Sequence, residues 1–146
     1  MSKLMSDLCG VPQGSILGPI VFNIFINDIP KINWSPEITT STTIYADDVQ
    51  LLMFNGSPNN LEELKAHADR SLKTMKDWYS ENVLKMNPNK AQCILFAAPN
   101  SNTRTETFRL IIDGIVNHIY DKEKNLWVMF GSRLSFEHHI KSLCSG

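Results

Sequence analysis

Two adjacent aspartates, Asp47 and Asp48, stand between two apolar runs in Thr43-Ile44-Tyr45-Ala46-Asp47-Asp48-Val49-Gln50-Leu51-Leu52. Neighbouring carboxylates ~4 Å apart repel by about 4 kcal/mol at an effective dielectric of about 20. A tight turn that keeps both ionised asks for a cation, and Mg²⁺ suits it, taking oxygen ligands while leaving positions for phosphates. On its own an Asp-Asp pair is more often a solvated turn. Two further stretches carry chemistry-bearing residues. Val11-Pro12-Gln13-Gly14-Ser15 combines a side-chain amide with a bare backbone that a ligand can approach closely. Lys90 ends the turn-bearing segment Leu84-Lys85-Met86-Asn87-Pro88-Asn89-Lys90.

The elements that must position these residues follow from periodicity and turn chemistry. Gly18-Pro19 suits a helix start, because proline in the first turn forfeits no needed donor. A helix is predicted over about residues 17 to 28. Its apolar residues cover most of the circumference and leave Asn23 and Asn27 as a polar line one turn apart, the pattern of a mostly buried helix. The β-branched run over residues 39 to 46 and the apolar run over 49 to 54 predict a hairpin with Asp47-Asp48 as its exposed turn. Leu61, Leu64, Ala68, Leu72, Met75, Trp78 and Tyr79 recur at helical spacing, so a second helix is expected over about residues 60 to 80, with Trp78 and Tyr79 in the helix–sheet core. Residues 91 to 97 read as a strand. A second hairpin is expected around Asp113-Gly114, with another short strand over residues 126 to 130 and a final helix capped by Ser135.

The 146 residues allow one domain, and 42% apolar with 20% charged residues is the composition of a globular protein rather than a disordered one. A net charge of −1 leaves any phosphate binding to a local patch. Cys9, Cys93 and Cys144 are widely spaced and form no CxxC pair, so reduced thiols are expected. No run approaches the ~18 apolar residues of a membrane span and no signal-peptide layout opens the chain. An intracellular location, cytoplasm or nucleus, and no membrane partner are the expectation.

The two core motifs, in this order, resemble those of reverse transcriptases of non-LTR retrotransposons, most closely the jockey-type lineage. The likeness rests on Val11-Pro12-Gln13-Gly14-Ser15 with its continuation Phe22-Asn23-Ile24-Phe25-Ile26-Asn27-Asp28, on Tyr45-Ala46-Asp47-Asp48, on the stretch from Trp78 to Lys90, and on Leu134-Ser135-Phe136. The resemblance implies part of an RNA-directed DNA polymerase palm: an α/β (α+β) fold, one antiparallel sheet with helices on one face. It implies a partial palm over residues 1 to 98 and a hairpin with the start of a thumb-like helix over 99 to 146. By the same resemblance Asp47 and Asp48 ligate Mg²⁺ or Mn²⁺ in a two-metal nucleotidyl transfer, and Lys90 is a general acid or charge stabiliser. Tyr45 then lies against the primer end, and Gln13, Gly14 and Ser15 border nucleotide and template. The partners implied are an RNA template, a DNA primer and a dNTP.

The family supplies a further metal-binding aspartate on a strand ahead of the Val-Pro-Gln-Gly-Ser element, and this sequence holds no counterpart. Without that strand, the Asp47 hairpin and the strand over 91 to 97 are expected either to close on each other or to keep unpaired edges. Trp127 and Gly131 also stand where the family usually has a small and an acidic residue. These departures lead to the expectation that the chain alone is inactive. The alternative is a non-catalytic remnant that binds nucleic acid or a protein partner.

Overall fold

The computed structural model describes residues 14–34, 37–56, 60–96, 108–126, 128–134 and 136–144. Helix α1 (Gly18–Ile26) begins with proline in its first turn and is followed by a 3₁₀ turn, Ile29–Lys31. Strands β1 (Thr39–Tyr45) and β2 (Asp48–Phe54) form an antiparallel hairpin. Helix α2 (Leu61–Glu81) follows, then a 3₁₀ turn at Pro88–Lys90. Strands β3 (Arg109–Ile112) and β4 (Ile115–His118) pair next, then β5 (Lys122–Asn125) and β6 (Val128–Gly131), and α3 (Glu137–Cys144) packs on β6.

The fold is mixed α and β, as expected. Its described strands, however, form three separate two-stranded antiparallel sheets rather than one. The reason lies at residues 91–96, where a strand was predicted: Cys93 makes a single parallel bridge to Ile119, and Tyr120 N–H donates to the Cys93 carbonyl at 3.0 Å. A β-forming sequence becomes a strand only with a ladder partner, and this segment bridges one residue just past β4 instead of pairing with the first hairpin. Among the described residues, β1 and β2 pair only with each other and keep their outer edges open.

The first hairpin is organised by alternation. Thr40, Thr42 and Ile44 of β1 and Val49, Leu51 and Met53 of β2 are half-buried, whereas their strand neighbours Ser41, Thr43, Leu52 and Phe54 are exposed. The period-two pattern thus gives one covered face and one open face. The covered face packs on both helices. Near the turn, Ile44, Val49 and Leu51 join Ile26, Ile29, Trp34, Met75, Trp78 and Tyr79, while at the far end Met53 joins Leu61, Ala68, Leu72, Phe108 and Leu110.

Helix α2 carries the scaffold. The Asn60 side chain accepts from the Glu63 N–H at 3.2 Å, satisfying one otherwise orphaned helix donor, and is itself held by donating to Glu63 Oε2 at 2.6 Å. Fully buried His67 lies 2.7 Å from Thr40 Oγ1, tying the helix to β1. The buried Trp34 indole donates to Thr42 Oγ1 at 2.9 Å, so the loop before β1 is pinned to the same strand. Lys76 forms an ion pair with Asp113 in the β3–β4 turn. That turn has φ +53° at Asp113 and +78° at Gly114, the signature of the type I′ turn that the Asp-Gly pair predicts.

One helix departs from expectation. Although α1 was read as mostly buried, only Gly18 and Ile26 of its residues are buried. Ile20, Val21, Ile24 and Phe25 are exposed, Ile24 to 71%. Apolarity all round the helix records what such a helix can bury, and the covered face of a two-stranded hairpin reaches only one side of it.

Candidate active site

The site is built on the turn between β1 and β2. The last rung of the ladder pairs Tyr45 with Asp48, so the two turn residues are Ala46 and Asp47 rather than the aspartate pair. Ala46 has φ +51°, the left-handed region in which a two-residue hairpin turn normally places glycine. Asp47 therefore occupies the tip and Asp48 the first position of β2, both exposed. Asp48 lies across the ladder from Tyr45, itself 63% exposed, and shares the open face with it. Among the described residues no cation forms an ion pair with either aspartate.

A cleft of about 610 Å³ adjoins the turn. Its walls come from α1 and β1, with Phe22, Ile26 and Ile44 apolar and Asn23, Asn27 and Tyr45 polar. Asn23 and Asn27, the polar line read from the α1 sequence, thus line this cleft while remaining exposed. Every residue lining this cleft is uncharged.

Three rings pack together where α1 meets α2. Phe25 of α1 packs on Trp78 of α2 with centroids 6.2 Å apart, and Trp78 meets Tyr79 edge-on at 5.6 Å. Burial pushes the Tyr79 phenol above the usual tyrosine range, and the Asp47 carboxylate adds to that shift. Tyr79 was expected in the helix–sheet core and is found there. Its relation to Asp47 had no sequence signal beyond its place in the last turn of α2.

The other expected site residues are placed less closely. Gly14 has φ +82°, a conformation that favours glycine, and a Cβ there would meet nothing within 4 Å. Backbone conformation rather than crowding accounts for that glycine. Ser15 is half-buried, and its carbonyl accepts from Gly18 N–H at 3.2 Å at the start of α1. Gln13 lies outside the described residues, as do Trp127 and Ser135. Lys90 is exposed at the end of its 3₁₀ turn and makes no ion pair with Asp47 or Asp48. The third hairpin approaches the open face at one point, where Gln50 Nε2 donates to Asn125 Oδ1 at 2.8 Å.

By donor type the pair fits a hard divalent cation: two carboxylates, exposed and free of competing cations among the described residues. It fits as part of a ligand set, since the described residues contain no group of three or more His, Cys, Asp or Glu able to hold a metal.

Residues 5–130 match the family described as reverse transcriptase (RNA-dependent DNA polymerase). The chain belongs to the reverse transcriptase family. It is 31% identical over 137 residues, 91% of its length, to a probable RNA-directed DNA polymerase from transposon BS of Drosophila melanogaster, of which it covers 14%. It is 28% identical over 138 residues, 92% of its length, to an RNA-directed DNA polymerase from mobile element jockey of Drosophila funebris, covering 14% of it. A retrovirus-related Pol polyprotein from type-1 retrotransposable element R1 of Nasonia vitripennis is 27% identical over 136 residues, 92% of this chain and 39% of that protein. The chain thus spans well under half the length of these relatives, and the jockey-like identification made from its motifs is borne out. No solved structure matches it. The family uses divalent metal ions and works on a nucleic-acid template and primer.

Proposed function

We propose that this chain is the part of an RNA-directed DNA polymerase palm that carries the catalytic hairpin, with Asp47 and Asp48 as ligands for Mg²⁺ or Mn²⁺. The observation that carries the reading is the hairpin tip itself: two exposed carboxylates without a paired cation among the described residues, one on a left-handed turn and one on the open face beside Tyr45, next to an uncharged cleft. Bound there, divalent cations supply charge stabilisation and nucleophile activation for nucleotidyl transfer.

The residues of the chain do the rest by position. Tyr45, on the open face with Asp48, offers a phenol to the primer end. Gly14 presents bare backbone ahead of α1, next to Gln13, where nucleotide and template approach. Lys90, exposed on its own turn, is left as a charge that reaches the departing phosphates only when substrate spans the distance.

The test uses Mn²⁺ as a paramagnetic probe in NMR titration of the chain. Selective broadening at Tyr45, Ala46, Asp47 and Asp48, lost in Asp47→Asn, is expected. Broadening elsewhere, or unchanged in the variant, overturns the site. RNA-templated extension of a DNA primer with Mg²⁺, abolished by the same substitution, extends the assignment from metal binding to chemistry. Nucleic-acid binding indifferent both to Mg²⁺ and to Asp47→Asn points instead to the non-catalytic binding module.

A further inference from the structure

The seam between α2 and the first hairpin is closed by two kinds of contact. At the turn end it is apolar, an upper cluster in which Ile44, Val49 and Leu51 of the hairpin join Met75, Trp78 and Tyr79 of the helix. At the base of the hairpin, Met53 is the ladder partner of Thr40 and packs with the Ala68 cluster, and a polar contact is added. His67 and Ser71, one turn apart on α2, are both fully buried. The His67 Nε2 atom lies 2.7 Å from Thr40 Oγ1 of β1 and 3.4 Å from Ser71 Oγ. The other ring nitrogen, Nδ1, is buried and has no hydrogen-bond partner among the described residues.

We infer that His67 is an acid-released latch: a second ring proton frees the start of β1 from α2, while the end of the hairpin that carries Asp47 and Asp48 stays packed. A neutral imidazole has one N–H and one lone pair. Buried orphan N–H groups are rarer in proteins than under-used acceptors, as backbone groups show. The single proton therefore belongs on Nε2, which donates to Thr40 Oγ1, leaving the Thr40 O–H for the Ile38 carbonyl at 3.5 Å. A second proton has only Nδ1 to go to, where it makes a buried cation with an unmatched donor. The closed seam excludes that state, and opening lets water solvate it.

Few charges surround the ring. On α2, Arg70 stands one turn after it and Glu63 one turn before, the latter engaged with Asn60, while Lys65 and Asp69 pair with each other at positions that do not share its face. Strand β1 is uncharged from Thr39 to Tyr45. The segment before it brings Glu37, which pairs with Arg70 at 3.1 Å. Strand β3, also packed on α2, buries Leu110 and Ile112 and leaves Arg109 exposed. Burial, then Arg70, opposes protonation of His67, and Glu37 favours it.

NMR of the wild-type chain, followed from neutral pH downward, tests the latch. At neutral pH the ring should show a protonated Nε2 and a bare Nδ1. As the ring takes up its second proton, the NOE between it and the Thr40 methyl group should disappear, while NOEs within the upper cluster of Ile44, Val49 and Met75 persist. An imidazolium that keeps its contact with Thr40, an Nδ1–H tautomer at neutral pH, or loss of both ends of the hairpin in one step overturns the inference. His67→Gln keeps a side-chain donor and cannot titrate, so its seam should stay closed over the same range; an equal acid opening in that variant removes His67 from the role. Arg70 is 54% exposed, and Arg70→Gln takes away the opposing charge without disturbing the core, so opening should move to higher pH. A move to lower pH contradicts the latch. The wild-type and Arg70→Gln measurements decide the matter whether or not the His67→Gln chain folds.

Discussion

Replacing Ala46 with glycine should stabilise the protein. At φ +51° the alanine Cβ sits in the left-handed region, which costs an L-residue roughly 1–2 kcal/mol. Glycine removes that cost but brings back about 0.4–1 kcal/mol of unfolded-state entropy. The difference is a net gain of about 0.5–1 kcal/mol. For a chain of 146 residues this corresponds to a rise of about 1–4 °C in Tm. Urea unfolding should show a higher midpoint at unchanged slope, since the denatured surface is the same. Ala46→Val, β-branched at the same position, should lower stability and supplies the opposing arm. A destabilised Ala46→Gly protein, or an Ala46→Val protein as stable as wild type, would refute the argument that turn strain is stored at this residue.

Other consequences follow from the same contacts. Met75, 5% exposed in the upper cluster, should cost about 2–5 kcal/mol on replacement by alanine, measured by urea denaturation. Asn60→Ala removes the α2 cap and should cost about 1 kcal/mol, with a matching loss of helical signal in the first turn by hydrogen exchange. His67 is fully buried, and burial, followed by the charge of Arg70 and partly offset by Glu37, holds its imidazole below the usual histidine range. The unfolded chain takes up a proton near pH 6.5 while the folded chain resists it, so this contribution to stability is complete above that pH and falls as pH drops through the depressed folded value. Denaturation at pH 7.5 and 5.5, with an NMR titration of the His67 imidazole in the folded protein, checks the sign; a folded titration point at or above the usual histidine value contradicts it.

The parts of the fold that were legible in the sequence are those where local chemistry and tertiary demand coincide. The helix over 60 to 80 was readable from its apolar spacing, and Asp113-Gly114 because both residues tolerate the positive φ that a type I′ turn requires. The first hairpin was readable, but its turn fell one residue early, on Ala46, which no turn preference selects. Strand β5, Lys-Glu-Lys-Asn, carries no β signal at all and exists through its ladder with β6. Conversely, residues 91–96 look like a strand by composition and make one bridge, because strand character is realised by a partner. In the candidate site, residue types marked Asp47 and Asp48, whereas the cleft beside them, which the polar line of Asn23 and Asn27 helps to line, emerges only when α1 is set against the hairpin.

The strain at Ala46 and the placement of the aspartates are one problem. The hairpin has a covered face, with Ile44 and Val49 against the helices, and an open face, with Tyr45, Asp48 and Gln50. Because side chains alternate with period two, a slip of one residue in register would move Asp48 under the helices and Val49 into solvent. The flanking strands specify register only weakly on the open side, where Thr43 and Ser41 are indifferent to exposure. A turn confined to Ala46 and Asp47 closes the ladder on the Tyr45–Asp48 rung and excludes the slipped pairing. The left-handed alanine is thus the local cost of keeping one carboxylate at the tip and the other on the open face.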